Sequence, residues 1–346
     1  MKPSKIVVQN LYKVFGDQPQ EAMRLLKLGE SKESVFHNLG QVVGVNNVSF
    51  AVNEGEIFVL MGLSGSGKST LIRLINRLVD PTSGDILLDG QSITRLSAKE
   101  LVDLRRRDMS MVFQSFALMP HRTVLDNAAF GLEIAGVGRR ARESAAMKVL
   151  EQVGLAPFAR KYPHQLSGGM QQRVGLARAL AVNPSLILMD EAFSALDPLK
   201  RAEMQDILLD LQREQRRTIF FVSHDLEEAL RIGTRIAIME GGRLVQVGTP
   251  QEIIEKPADD YVRRFFRSVD TSRYLLARDL IDPGLSPSFA ATRSVPPSAS
   301  LNDVLHSLLG EHDPLTVAEQ GGSSLGVITS SSALRKLAEH RLRDTV

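Results

Sequence analysis

The sequence predicts an α/β fold with a mainly parallel sheet core, an N-terminal β layer, a helical subdomain and a small C-terminal α+β portion. Three observations carry this expectation. Residues 62–70, Gly62-Leu63-Ser64-Gly65-Ser66-Gly67-Lys68-Ser69-Thr70, fit the phosphate-binding pattern G-x-x-x-x-G-K-[ST]. Three short apolar runs, Leu186 to Met189, Ile219 to Val222 and Ile236 to Met239, alternate with helix-like stretches, as buried parallel strands do. A Pro- and Ser-rich stretch over 282–300 then sets off a short final segment.

Taken in order, Ile6 to Leu11 and Val45 to Val52 read as strands of the N-terminal layer. Between them, Leu25, Leu26 and Leu28 mark one helix, and Ser31 caps a second that carries Val35, Phe36 and Leu39 and stops at Gly40. Ile57 to Met61 is a short buried strand leading into the glycine-rich loop, and Thr70 to Arg77 is the helix after it. From about Leu101 to Arg178 the chain turns helical and charged. The reading gives a first domain over 1–267, a linker over 268–300 and a module over 301–346. The module holds a helix around Leu301 to Leu309, strands near Leu315 to Ala318 and Leu325 to Ile328, and a last helix near Ser332 to His340.

Composition narrows the function. A net charge of +2 argues against nucleic acid as a partner, because such binders carry a marked basic excess or stripe. The clusters Arg105-Arg106-Arg107 and Arg139-Arg140-Ala141-Arg142 read as solvated helix faces. The absence of cysteine removes disulfides, thiolate metal sites and thiol catalysis. The apolar runs fall far short of the roughly 20 residues of a membrane span, and Met1 to Lys5 opens no export-type segment. A cytosolic protein is expected, with any membrane role supplied by partners.

The glycine-rich loop has a physical logic. A strand ending in such a loop lets successive backbone N–H groups converge on an anion, and the following helix adds its positive end. Gly62, Gly65 and Gly67 supply the backbone angles, with Ser64, Ser66 and Thr70 between and after them. Lys68 would reach the β- and γ-phosphates and Ser69 would place its hydroxyl on Mg²⁺. Asp190 and Glu191 end a buried strand, which sets Asp190 beside the metal and Glu191 where it can orient or deprotonate an attacking water. Leu166-Ser167-Gly168-Gly169-Met170-Gln171-Gln172-Arg173 opens a second helix at a Ser-Gly-Gly turn, again offering N–H groups to an anion.

With that stretch the sequence resembles the ATP-binding subunits of ABC transporters, a P-loop NTPase type, over roughly residues 5–267. The resemblance implies ATP and Mg²⁺ as ligands and assigns further roles. Gln114, in Met111-Val112-Phe113-Gln114-Ser115, matches the glutamine that contacts Mg²⁺ or water and senses the membrane partner. Asp197, in Ser194-Ala195-Leu196-Asp197, matches the loop that crosses the dimer, and His224 the switch histidine at the γ-phosphate. Ser167, Gly168 and Gly169 would contact the ATP of the partner chain. Phe15, followed by Gly16, is the first choice for the ring that stacks on adenine, with Tyr12 as the alternative. One departure stands out: Met170 occupies the place of the family's usual glutamine, leaving the serine and glycines intact.

The finer resemblance is to the ATPases of glycine betaine/proline importers. It rests on Gly62 to Ser66, the run Phe113 to His121, the insert after Phe15, and Met170, while residues 295–340 look like one CBS-type regulatory module. It implies an ATPase that energises compatible-solute import as a homodimer. It would sit on the cytoplasmic face of the inner membrane through permease subunits, with an external binding protein acting indirectly. A soluble ABC ATPase in translation or DNA repair is the competing reading. This chain has one set of motifs where translation members have two fused domains, and it lacks the coiled-coil insertions of repair members. Intact Lys68, Asp190, Glu191 and His224 speak against a sensor without turnover.

Overall fold

The computed structural model describes residues 3–114, 117–266, 275–285, 293–309, 314–319 and 324–343. Arg267, the expected end of the first domain, lies with Ser115 and Phe116 outside the described residues. The chain divides into two compact units, Met1–Val247 and Gly248–Val346.

The first unit opens with β1 (Ser4–Phe15), followed by α1 (Pro19–Lys27), α2 (Lys32–Leu39) and β2 (Val42–Asn53). Proline at the start of α1 forgoes no intrahelical hydrogen bond. Ser31 Oγ accepts from Ser34 N to cap α2, and Gly40 ends it in the left-handed region at φ 67°. Ala22, Met23, Leu26 and Val35 of these helices pack against Tyr12, Val14 and Val43 of the strands. The insert between the two strands is thus a helical pair laid on its own apolar patch.

After β3 (Ile57–Met61) and α3 (Lys68–Ile75), β4 (Ser83–Leu88) and β5 (Gln91–Ser92) complete an N-terminal sheet of order β2-β1-β4-β5. Its pairs run antiparallel. Next come α4 (Ala98–Asp108), β6 (Met109–Val112), α5 (Val124–Ile134), α6 (Arg139–Gln152) and α7 (Gly168–Ala181). Ser97 with Glu100 and Thr123 with Asp126 form reciprocal caps that start α4 and α5. The span expected to be helical therefore holds one short strand, β6, whose four residues are too few to impose a period of two on the flanking helical pattern.

The remaining elements of this unit are β7 (Leu186–Asp190), α8 (Pro198–Gln215), β8 (Thr218–Val222), α9 (Leu226–Ile232), β9 (Arg235–Glu240) and β10 (Arg243–Gly248). They finish a six-stranded sheet of order β10-β9-β3-β8-β7-β6, in which β6, β7, β8, β3 and β9 are parallel neighbours. Asp190 pairs in register with Val222, and Val222 with Leu60. The loops that follow β3, β7 and β8 consequently emerge at one level of one sheet edge, where ligands of parallel sheets bind. Phe50 of the N-terminal sheet stacks on Phe58 at 5.1 Å and on Phe220 at 5.9 Å, joining the two sheets through an aromatic core.

The second unit contains α10 (Pro250–Glu255), α11 (Asp260–Phe266), β11 (Arg293–Val295), α12 (Leu301–Leu308), β12 (Leu315–Ala318), β13 (Ser324–Ile328) and α13 (Ser330–Arg343). The strands form one sheet in the order β11-β12-β13, with β11 parallel and β13 antiparallel to β12. Leu275, Ala277, Leu280 and Val295 enter its apolar core with Leu301, Val304, Leu315, Val317 and Ile328. The stretch expected as a linker thus supplies a strand and four core side chains. Three residues of β11 among prolines and serines leave too weak a pattern to read as a strand.

Candidate active site

The phosphate loop is shaped by contacts that only glycine permits at two positions. Gly62 has φ 151°, and a Cβ there would stand 2.3 Å from the Met239 carbonyl oxygen. Gly67 has φ 103°, and its Cβ would stand 2.2 Å from the Gly44 carbonyl oxygen. Ser64 and Gly65 are exposed at the tip. Lys68 is buried, and its Nζ donates to the carbonyl oxygens of Gly62 at 2.8 Å and Leu63 at 3.1 Å. Burial holds this ammonium below its ordinary pKa, against the opposing pull of the Glu191 and Asp190 carboxylates. Ser66 Oγ is buried with no hydrogen-bond partner, and the loop is lined by a charge and a hydroxyl poised for an anion.

Sheet register brings four more expected residues to this loop. Ser69 Oγ donates toward Asp190 Oδ1 at 3.5 Å. Burial raises the Asp190 carboxyl above its ordinary value; Arg73 pulls it down and Glu191 pushes it up. Arg73 was not among the expected residues, although its place four positions after Ser69 puts both on one face of α3. Glu191 sits in the left-handed region at φ 47°, with its N–H donating to the Val222 carbonyl at 3.0 Å. This turn aims its Oε2 to within 3.2 Å of His224 Nδ1 and 3.5 Å of Gln114 Nε2. His224 is more than half exposed, with 57% of its side chain accessible, while Glu191 is mostly covered.

The Ser-Gly-Gly turn stands apart. Ser167 caps α7, its Oγ accepting from Met170 N at 3.4 Å, and Gly168 is exposed beside it. Gly169 packs so tightly on α8 that a Cβ would lie 2.9 Å from Lys200 Cδ. Asp197 caps α8 by accepting from Lys200 N at 3.1 Å, and Lys200 holds its carboxyl below the ordinary value. Among the described residues no hydrogen bond or ion pair joins Ser167, Gly168, Gly169 or Asp197 to the phosphate loop of the same chain. Met170 lines a cavity of about 230 Å³ with Leu155, Phe158 and Met204.

The two candidate adenine rings differ in setting. Phe15 is exposed at 39%, and Lys13 Nζ lies 4.9 Å from its ring centroid. A Cβ on Gly44 would meet Phe15 Cε2 at 2.9 Å and Thr70 Cγ2 at 3.0 Å, so the ring and the first turn of α3 close in on Gly44 from two sides. Tyr12 is buried in the cluster beneath α1 and α2.

No group of three or more His, Asp or Glu side chains able to hold a metal occurs among the described residues. A hydroxyl and one carboxylate, as at Ser69 and Asp190, suit a magnesium ion that takes its other ligands from phosphate and water. No described helix is long and apolar enough to cross a membrane.

Comparison with known proteins agrees with this geometry. A family model described as ABC transporter matches residues 45–194. The ATP-binding protein of the glycine betaine/proline betaine transport system of Salmonella typhimurium is 52% identical over 97% of this chain and 83% of its own length. The chain belongs to the ATP-binding subunits of ABC transporters. The trimethylamine N-oxide transport system ATP-binding protein of Pelagibacter ubique is 42% identical over 96% of this chain and 97% of its own. Among solved structures, a dimeric ATP-binding cassette in a post-hydrolysis state bound to ADP and Pi is 32% identical. It superposes with a TM-score of 0.60, covering 71% of this chain and 98% of its own. This ABC subunit has the P-loop fold of an ATPase, and the expected parallel core and N-terminal β layer are both present.

Proposed function

We propose that the chain hydrolyses ATP to energise import of a compatible solute, glycine betaine, proline or a related quaternary amine, through a membrane permease. The observation that carries this reading is the 52% identity to a glycine betaine/proline betaine transport subunit along nearly the whole chain. In a working dimer, each ATP lies between one chain's phosphate loop and the other chain's Ser167-Gly168-Gly169 turn. That arrangement is supported by the lack, among the described residues, of any hydrogen bond or ion pair between the two within one chain, and by the dimeric state of the solved cassette. The permease places the pair at the cytoplasmic face of the membrane, and an external binding protein delivers the solute.

Each residue has a part in the reaction. Lys68 and the N–H groups of the loop bind the phosphates, and Ser64, Ser66 and Thr70 line their path. Ser69, Asp190 and Gln114 would hold Mg²⁺, which when bound neutralises charge on the transferring phosphoryl group. Glu191 orients and deprotonates the attacking water, and His224 holds Glu191 and the γ-phosphate in line. Phe15 stacks on the base, an assignment supported by its exposure beside Gly44 and by the burial of Tyr12. Asp197 faces the partner chain.

By function, the chain is read as an ATP-binding domain over 1–267, a connection over 268–300 and a CBS-like regulatory module over 301–346, with the connection lending Leu275, Ala277, Leu280 and Val295 to the core of the module. Residues 310–313, 320–323 and 344–346 lie outside the described part of that module. If the module regulates transport, Leu315→Asp, which places a charge in its core, flattens the response of transport to a salt series while ATP hydrolysis continues.

The test of the function is direct. The chain copurified with its permease and reconstituted with binding protein is assayed against a panel of betaines, choline and proline. Stimulation of ATP hydrolysis by one of them is expected, and hydrolysis indifferent to every solute would favour the soluble, non-transport reading.

A further inference from the structure

Beneath the site, the helices that follow two of its loops share a dense polar network. Arg201, one turn into α8, places Nη1 2.5 Å from Asp225 Oδ2 and donates from Nη2 to the Leu196 carbonyl at 3.3 Å. Leu196 immediately precedes Asp197, and Asp225 immediately follows His224. One guanidinium therefore touches both functional loops at the residue next to each functional side chain.

The Asp225 end is itself fixed. Asp225 Oδ1 accepts from Glu228 N at 3.1 Å, starting α9, and Asp225 N donates to Ser223 Oγ at 3.0 Å. Ser223 Oγ in turn donates to Glu228 Oε2 at 2.5 Å, while Gln205 Nε2 donates to Glu228 Oε1 at 3.2 Å. Arg231 Nη1 closes the chain on Gln205 Oε1 at 2.8 Å. Ser223, Gln205 and Glu228 are all buried. Apolar residues of similar size would join two helices at least as stably, so a buried polar network of this kind buys geometry more than stability. An arginine suits the task because its planar fork presents several donors in fixed directions, whereas a lysine presents one compact charge.

We propose that Arg201 is a positioning residue for ATP hydrolysis, tying the Asp197 loop to the His224 loop so that the two move as one piece. In the head-to-tail dimer of the proposed function, on which this inference rests, Asp197 faces the partner chain's nucleotide and His224 faces its own. The tie therefore reports closure at one site to the histidine of the other. Neither Arg201 nor Asp225 touches the phosphate loop, so its loss slows turnover and uncouples the two sites while leaving ATP capture in place.

The full-length chain with its permease tests this by ATP hydrolysis across ATP concentrations, binding of a fluorescent ATP analogue, and thermal melting. Arg201→Met and Asp225→Asn should each lower kcat by about tenfold or more, the scale of loss from a misplaced catalytic group. Cooperativity in ATP should fall toward none, with analogue binding unchanged. The double variant should be no slower than either single one, because both cut the same contact. Arg201→Lys, which keeps the ion pair but loses the Leu196 carbonyl, should fall between parent and Arg201→Met. Parent-like turnover in Arg201→Met, or additive losses in the double variant, would overturn the tie. Were Arg201→Met to fold poorly, Asp225→Asn decides alone, and parent-like kcat and cooperativity there overturn it equally. His224→Ala serves as the control: normal hydrolysis in that variant would sink the reading of the site itself, and the tie with it.

Discussion

His224 Nδ1 stands 3.2 Å from Glu191 Oε2, across the ends of two neighbouring parallel strands. Neither side chain owes this approach to local sequence. It follows from the register that levels Asp190 with Val222, and from the left-handed turn at Glu191 that swings its carboxylate back toward the β8 loop.

That placement predicts the outcome of Glu191→Gln. The amide keeps the shape and the contact distance but loses the basicity needed to activate water. ATP binding should persist while turnover almost vanishes, and an ATP-dependent dimer should accumulate on gel filtration with Mg²⁺. Near-normal hydrolysis would remove Glu191 from the catalytic role.

Phe15→Ala should weaken ATP binding by about tenfold, since stacking of a base on an aromatic ring is worth roughly 1–3 kcal/mol. Turnover at saturating ATP should change little. Tyr12→Phe, a change inside the apolar cluster of α1 and α2, should leave ATP affinity at the parent value. Titration with a fluorescent nucleotide separates the two, and an unaffected Phe15→Ala would return the base to another partner.

Met170→Gln should keep hydrolysis within a few-fold of the parent, because Met170 turns toward the cavity it shares with Leu155, Phe158 and Met204. Ser167→Arg should be far slower, its side chain projecting from an exposed helix cap into the dimer interface. Steady-state ATPase assays of both variants are sufficient. Parent-like activity of Ser167→Arg would defeat the shared-site model.

Stability should carry a signature of Glu228. Burial raises its carboxyl above the ordinary 4.5, with hydrogen bonds from Ser223 and Gln205 pulling the other way. A carboxyl raised in the folded state stabilises the fold fully below its unfolded value, and that contribution is withdrawn as pH climbs through the raised one. Glu228→Gln cannot ionise, so its stability relative to the parent should improve from about pH 5 to about pH 8, a range that starts near the unperturbed carboxylate value. Denaturant unfolding of both proteins across that range gives the difference, and a flat difference would contradict the raised pKa.

Much of this architecture could be read before any coordinates. Ser31 and Gly40 bracket α2 as their chemistry requires, and the apolar runs become β7, β8 and β9 because uninterrupted hydrophobicity fits strands buried on both faces. The phosphate loop was legible because Gly62 and Gly67 sit where a side chain would collide with another backbone, and Gly65 at φ 76° takes an angle that favours glycine. What escaped reading depended on partners distant in sequence. The strands β6 and β11 are too short to show a period and exist only through pairing with β7 and β12. Tyr12 stood as the alternative to Phe15, and counting positions along β1 could not separate them, because its register with β2 shifts between Leu11 and Lys13 and again between Lys13 and Val14; only the packing of Tyr12 beneath α1 and α2 tells them apart. Arg201 was passed over because its two acceptors lie one turn behind it and across a neighbouring loop.

The stack of Phe50, Phe58 and Phe220 gives the molecule a fixed measure. Phe15 ends β1 of the N-terminal sheet and Lys68 opens the helix that follows β3 of the parallel one, and three stacked rings between the sheets lose contact area if either slides. The spacing of that ring and that ammonium is therefore tied to the packing of the core between the two sheets. With Phe15 on the base and Lys68 on the phosphates, as proposed, a nucleotide lacking its base would reach one of the two anchors that this core joins and not the other.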